Sequence, residues 1–220
     1  MPVKILMVDD HPLQIEGYKS ILQYNTDGLE IETTVCHNCE EAYTIIVNTK
    51  APLHFDVVFL DRSLPPYPDK KIYSGEDLAL LTREHSPKSK IMMLTSHAEA
   101  FVIYDLIQKV RPDGLLIKSD FDGDELLAAF SAVLNGTVYY SQTVKDSIKE
   151  LLALESYLDA INRQIIVLLA KGLKNKSIAL QLNLSDSAIE KRKSKLKEVF
   201  LISKGTDEEL VQEARKLGFI

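Results

Sequence analysis

The chain has 220 residues, 45% of them hydrophobic, and a net charge of −6, enough apolar material for one large domain or two small ones. The charge is divided unevenly: residues 1–155 hold 14 Lys and Arg against 24 Asp and Glu, while residues 156–220 hold 12 against 8. A net of −10 followed by a net of +4 predicts two domains with different partners, the first unsuited to nucleic acid and the second suited to it.

The opening MPVKILMVDD carries an apolar run too short for a signal peptide, and acids end it. No apolar stretch reaches the length that crosses a bilayer. Both cysteines lie in Cys36-His37-Asn38-Cys39, and no second ligand pair completes a zinc tetrahedron, so the expectation is two buried thiols at a strand end. These features together predict a soluble protein of a reducing compartment, the cytoplasm, with no membrane partner.

In chain order, the first strand ends in Asp9 and Asp10, and His11 to Gln23 follows with helical spacing and Pro12 at its first position. Leu29 to Cys36 alternates as a strand and Glu40 to Asn48 reads as a helix. Phe55 to Asp61, FDVVFLD, has five apolar residues bracketed by aspartates, the pattern of a short strand buried on both faces. Ser74 to His85 is helical, Lys90 to Thr95 (KIMMLT) a strand, Ala98 to Val110 a helix, Asp113 to Ile117 (DGLLI) a strand and Asp122 to Asn135 a helix. Five strands alternating with five helices predict an α/β fold with a doubly wound parallel sheet. Its strands end in Asp9-Asp10, Asp61, Thr95-Ser96 and Lys118, at the edge where such sheets bind ligands. Three carboxylates that meet there raise one another's pKa unless a cation intervenes. Hard oxygen donors without a His or Cys set favour magnesium, and with it phosphoryl chemistry.

Lys145 to Tyr157, with Ile148, Leu151, Leu152 and Leu154, predicts a helical join. Four helices are expected after it: Leu158 to Ala170, Asn175 to Leu182, Asp186 to Phe200 capped by Ser185, and a last one opened by the capping box Thr206/Glu209 and ending at Leu217-Gly218. Two helices joined by Asn183-Leu184-Ser185 match a helix-turn-helix. The third helix, IEKRKSKLKEVF, sets Ile189, Leu196, Val199 and Phe200 as a buried stripe and leaves Lys191, Arg192, Lys193, Lys195 and Lys197 around it. Five cations in seven positions point to a polyanion, bound through phosphates and base edges in the major groove.

The strand-end pattern of residues 1 to about 135 resembles the receiver domain of bacterial two-component response regulators. That resemblance implies a five-stranded flavodoxin-like sheet of order 2-1-3-4-5, with Asp61 accepting a phosphoryl group from a sensor histidine kinase. It also implies Mg2+ (or Mn2+) held by Asp9, Asp10, Asp61 and the Ser63 carbonyl, Lys118 paired with the phosphate, and Thr95 turning its hydroxyl to it. The protein would be a phosphoryl acceptor that slowly dephosphorylates itself, not an enzyme. Three positions depart from the family pattern: Leu115 stands where an aromatic switch is usual, Ser119 where proline is usual, and RSLPPYPDKKIYSG is longer than the usual turn.

Residues 158–220 resemble the NarL/FixJ (LuxR-type) effector domain in LLAKGLKNKSIALQLNLSDSAIEKRKSKLKEVF and LVQEARKLGFI. By analogy Lys176, Ser185, Lys191, Lys193 and Lys195 are the DNA contacts. The expected organisation is a receiver domain at 1–137, a linker at 138–157 and a DNA-binding domain at 158–220. The expected function is a phosphorylation-controlled transcription regulator that binds double-stranded DNA and forms a homodimer when phosphorylated. One alternative is a regulator whose basic helix docks on an acidic protein. An aspartate-nucleophile phosphohydrolase would carry a second Asp where Ser63 stands.

Overall fold

The structure, a computed structural model, describes residues 2–48, 54–200, 202 and 205–216. It divides into two compact units, Met1–Ile148 and Lys149–Ile220. The first unit therefore takes in residues 138–148, which the expected domain limits assign to the linker.

The first unit alternates strand and helix: β1 Val3–Val8, α1 Pro12–Gln23, β2 Ile31–Cys36, α2 Cys39–Ile46, β3 Val57–Asp61, α3 Gly75–His85, β4 Lys90–Thr95, α4 Ala100–Val110, β5 Gly114–Ile117 and α5 Gly123–Leu134. Local chemistry sets several boundaries. The side chains of Asn38 and Asp122 accept the Glu41 and Glu125 amides at the starts of α2 and α5, and Pro12 opens α1. The strands pair in parallel, in the order β2-β1-β3-β4-β5, so each needs a helical crossover to return to the same edge. Every residue of β3 is buried, as a strand with helices on both faces requires. One core cluster packs β-strand side chains with Leu78, Ala79, Ile103 and Leu106 of α3 and α4. The other packs them with Ile15, Leu22, Leu126 and Phe130 of α1 and α5.

Among the described residues the sheet has six strands where five are expected. Tyr139 and Tyr140 form β6, parallel to Gly114 and Leu115 at the outer edge of β5. The Tyr139 amide donates to the Asp113 carbonyl at 2.9 Å and the Ser141 amide to the Leu115 carbonyl at 3.0 Å. Helix α6, Gln142–Tyr157, follows at once, and Val144 is wholly buried in the first unit's core. The side chains of Leu151, Leu152 and Leu154 lie outside the described residues.

The second unit holds α7 Ala160–Ala170, α8 Asn175–Leu182, α9 Asp186–Val199 and α10 Asp207–Lys216. Asp159 and Ser185 cap α7 and α9 through the Asn162 and Ala188 amides, and Thr206 and Glu209 form the reciprocal box before α10. Ile165, Ile178, Ala179 and Ile189 close the α8–α9 corner, while Ile166, Leu196, Leu210 and Ala214 tie α7, α9 and α10. Asn183 turns the chain between α8 and α9 at φ 56°, left-handed backbone that Asn tolerates well. Leu217 and Gly218, the expected end of the last helix, lie outside the described residues.

Candidate functional site

Strand order reverses between β1 and β3, and the carboxyl ends of both strands carry aspartates. Asp9 and Asp61 are nearly buried, and Lys118, just past the end of β5, reaches both: its Nζ lies 2.8 Å from Asp9 Oδ2 and 3.1 Å from Asp61 Oδ2. Asp10 is more exposed. His11, which sequence reasoning left without a role, sits between the first two carboxylates, its Nδ1 2.8 Å from Asp10 Oδ1 and 3.1 Å from Asp9 Oδ1. Ligand atoms of Asp9, Asp10, His11 and Asp61 all lie within 4.8 Å of one another.

Three carboxylates so close to one firm cation leave an excess of negative charge. Burial pushes the Asp61 carboxyl above its ordinary value and the Asp9 charge adds to this; Lys118 and the Ser63 amide pull the other way. Burial, with Asp9 and Asp61 behind it, likewise raises the Tyr18 phenol. The structure thus brings a His beside a donor set that the sequence reads as free of one; the three carboxylates, from two strands at a partly open edge, match a hard divalent cation, with the His11 imidazole beside Asp9 and Asp10.

Thr95 ends β4, one residue beyond the Leu94 that pairs with Asp61, and its hydroxyl accepts the His97 amide at 3.1 Å. The Lys118 amide donates to the Thr95 carbonyl at 2.7 Å, which joins the loops after β4 and β5. Behind Asp61 the backbone is tightly packed. A Cβ on Gly75 would stand 1.9 Å from the Asp61 carbonyl oxygen, so only glycine fits where α3 begins. Arg62 is gripped by the buried Glu76 at 2.8 Å, and Glu76 also meets Lys109 of α4 at 3.0 Å. The long loop after Asp61 is folded: Leu64 and Ile72 are buried, Tyr67 bridges Ile72, and the Tyr67 ring meets Tyr43 of α2 edge-on.

Cys36 and Cys39 are both buried and unbridged. Burial pushes their thiols up to about 12 and about 11, Glu41 and Asp77 adding to it, which leaves both unreactive near neutral pH.

In the second unit Lys176 at the start of α8, Ser185 before α9, and Lys191 and Lys195 on α9 are exposed. Lys193 is not. It is 4% exposed, with Nζ 2.6 Å from Asp207 of α10 and 2.9 Å from Asn175 Oδ1 of α8, so it ties three helices together instead of facing DNA. Two more of the five cations are only partly exposed and are paired with neighbouring elements. Arg192 meets Asp159 and Asn162, each at 2.9 Å, and Lys197 meets Asp207 at 2.7 Å. Of the five clustered cations, Arg192, Lys193 and Lys197 are thus held by groups outside α9, and the exposed Lys195 pairs with Glu198 of α9 at 3.1 Å. Lys171 and Lys174, which sequence reasoning left without a role, are also exposed, at the end of α7 and before α8.

Residues 5–131 match the response regulator receiver domain family, a span that contains Asp9, Asp10, Asp61, Thr95 and Lys118. The chain belongs to the response regulators. The nitrate/nitrite response regulator protein homolog of Haemophilus influenzae is 30% identical to this regulator over 191 residues, 86% of the present chain and 85% of its own. The nitrate/nitrite response regulator NarP of Escherichia coli is 30% identical over 195 residues, 86% of this chain and 84% of its own. In fold, the regulator is similar to the RcsB response regulator of Salmonella typhimurium, with a TM-score of 0.70, 20% identity and 98% of each chain covered. Among the described residues no helix is long and apolar enough to cross a membrane.

Proposed function

We propose that this response regulator is a DNA-binding transcription regulator switched by phosphorylation of Asp61. The observation that supports this most directly is the meeting of Asp61, Asp9, Asp10 and Lys118 at one sheet edge. A carboxylate oxygen of Asp61 attacks the phosphorus of a phosphohistidine on a sensor kinase. A P–O bond forms and the P–N bond breaks, and the departing imidazole nitrogen keeps the electron pair and takes a proton. The Asp9, Asp10 and Asp61 carboxylates and the Ser63 carbonyl would hold Mg2+ or Mn2+, which when bound neutralises charge on the phosphoryl oxygens. Lys118 already stands between two carboxylates and supplies one fixed positive charge to the product. The Thr95 hydroxyl accepts from His97 and so keeps its own proton free to donate to a phosphoryl oxygen. Water later hydrolyses the acyl phosphate slowly, and no other turnover is assigned.

The second unit would meet double-stranded DNA through Lys176, Lys191 and Lys195, with Ser185 at the α9 N-terminus and Lys171 and Lys174 adding phosphate contacts. Dimerisation on phosphorylation and a cytoplasmic location complete the reading. Asp61→Asn tests its first half. With a small-molecule phosphodonor and Mg2+, the parent should gain one phosphoryl group by intact mass and the variant none. Equal labelling of both would refute the assignment.

A further inference from the structure

The segment that leaves the sheet is fastened to the two loops that follow Thr95 and Lys118. Asp120, two residues after Lys118, accepts the Thr143 amide at 3.1 Å and so caps the first turn of α6. Burial opposes its charge, yet hydrogen bonds from Thr143 hold the Asp120 carboxyl below its ordinary value. Ala98, three residues after Thr95, accepts the Ser147 hydroxyl at 3.5 Å, one turn further along α6. Between these two fastenings Val144 is wholly buried in the cluster that holds Ile103 and Leu106 of α4 and Leu115 and Ile117 of β5. Leu115 has no polar atom with which a rotation could report on the site. Its neighbour in the sheet is Tyr140, which packs into the same cluster one residue before the Ser141 amide bonds the Leu115 carbonyl.

We propose that the first two turns of α6 form a clamp that opens when Asp61 carries a phosphoryl group. This rests on the phosphoacceptor reading above and adds the output element. A phosphoryl group on Asp61 draws Lys118 away from Asp9 and turns the Thr95 hydroxyl from His97, so both loops shift toward the sheet edge. Asp120 and Ala98 travel with them, and the cap on Thr143 and the bond to Ser147 are lost together. Helix α6 runs from Gln142 to Tyr157 and so continues past Ile148, where the first unit ends.

Hydrogen–deuterium exchange of the full chain, read on the segment 141–148 with and without phosphoramidate and Mg2+, tests the clamp. Loading should speed exchange there by about fivefold or more, the factor that loss of one capping bond corresponds to. Asp120→Ala should reproduce the fast exchange without the donor and leave β1 and β3 protected. By reciprocity it should also raise Asp61 loading at a fixed donor concentration. Ser147→Ala should do so to a smaller degree, and Asp61→Asn should not respond to the donor. A chain loaded at Asp61 whose 141–148 segment exchanges at the unloaded rate, or more slowly, overturns the clamp. A parent chain that gains no phosphoryl mass overturns the phosphoacceptor reading and the clamp as its output, and intact mass alone separates that result from the first.

Discussion

Replacing Lys193 by Ala removes an ammonium bonded at 2.6 Å to Asp207 and at 2.9 Å to Asn175, on a helix whose sequence reads as a DNA-facing row of cations. Breaking a fully buried pair by deleting one partner costs about 3 to 5 kcal/mol. Asp207 is 39% exposed and keeps Lys197 at 2.7 Å, so solvent and the second cation reduce the loss to about 2 kcal/mol. In a unit the size of Lys149–Ile220 each kcal/mol moves the midpoint by about 4 to 8 °C, so the unit should melt about 8 to 16 °C lower. Thermal unfolding followed by circular dichroism on the full chain measures this. DNA affinity across a salt series supplies the contrast. Lys191→Ala, at an exposed position, should melt within about 0.5 kcal/mol of the parent and flatten the salt slope by about 0.9. Lys193→Ala, assayed below its midpoint, should keep the parental slope. If Lys193→Ala melts like the parent and flattens the slope, the residue faces DNA and the reasoning from its burial fails.

Gly75→Ala places a methyl group 1.9 Å from the Asp61 carbonyl oxygen, so either α3 or the end of β3 must move. Chemical denaturation should show a loss of at least about 1 to 3 kcal/mol, and donor labelling of Asp61 should slow; parental stability and labelling would show that the turn yields freely. Asp113 accepts from the Ile91 amide, Arg83 and Lys90, which together outweigh burial and hold its carboxyl below the ordinary 3.8. A lowered folded value means stability that is present above about pH 4 and lost as pH falls through the folded value. Asp113→Asn should therefore be less stable than the parent at pH 7 and should approach it under acid. Stability curves that stay parallel from pH 7 to pH 3 would refute this.

Much of the architecture is local and is therefore legible in the chain. Apolar runs of five or six residues ending in Asp9, Asp61 and Thr95 predict buried strands with reactive ends, and Ser185 and Thr206 mark helix starts because each caps an amide within three residues of itself. The strand-end pattern puts Lys118 at the same sheet edge as the aspartates, but its direct pairing with both is not legible locally, since 109 residues separate it from Asp9 and 57 from Asp61. The partners of the α9 cations were beyond reach for the same kind of reason. Arg192 needs Asp159, and Lys193 and Lys197 need Asp207, so whether a cation faces solvent depends on how α7 and α10 pack on α9. The two-residue strand β6 has no periodicity of its own and exists because α5 returns the chain to the open edge of β5.

By itself, then, the sequence determined the order of the first five strands and of the helices, the acidic strand ends and the division of charge between two halves, because periodicity, caps and composition act over a few residues. Only the tertiary structure decided that Lys193 is internal, that His11 joins the carboxylates, that Gly75 lies against Asp61 and that Asp120 and Ala98 hold α6. Each of these is a contact between distant segments, and its strength depends on burial and separation that no local pattern encodes.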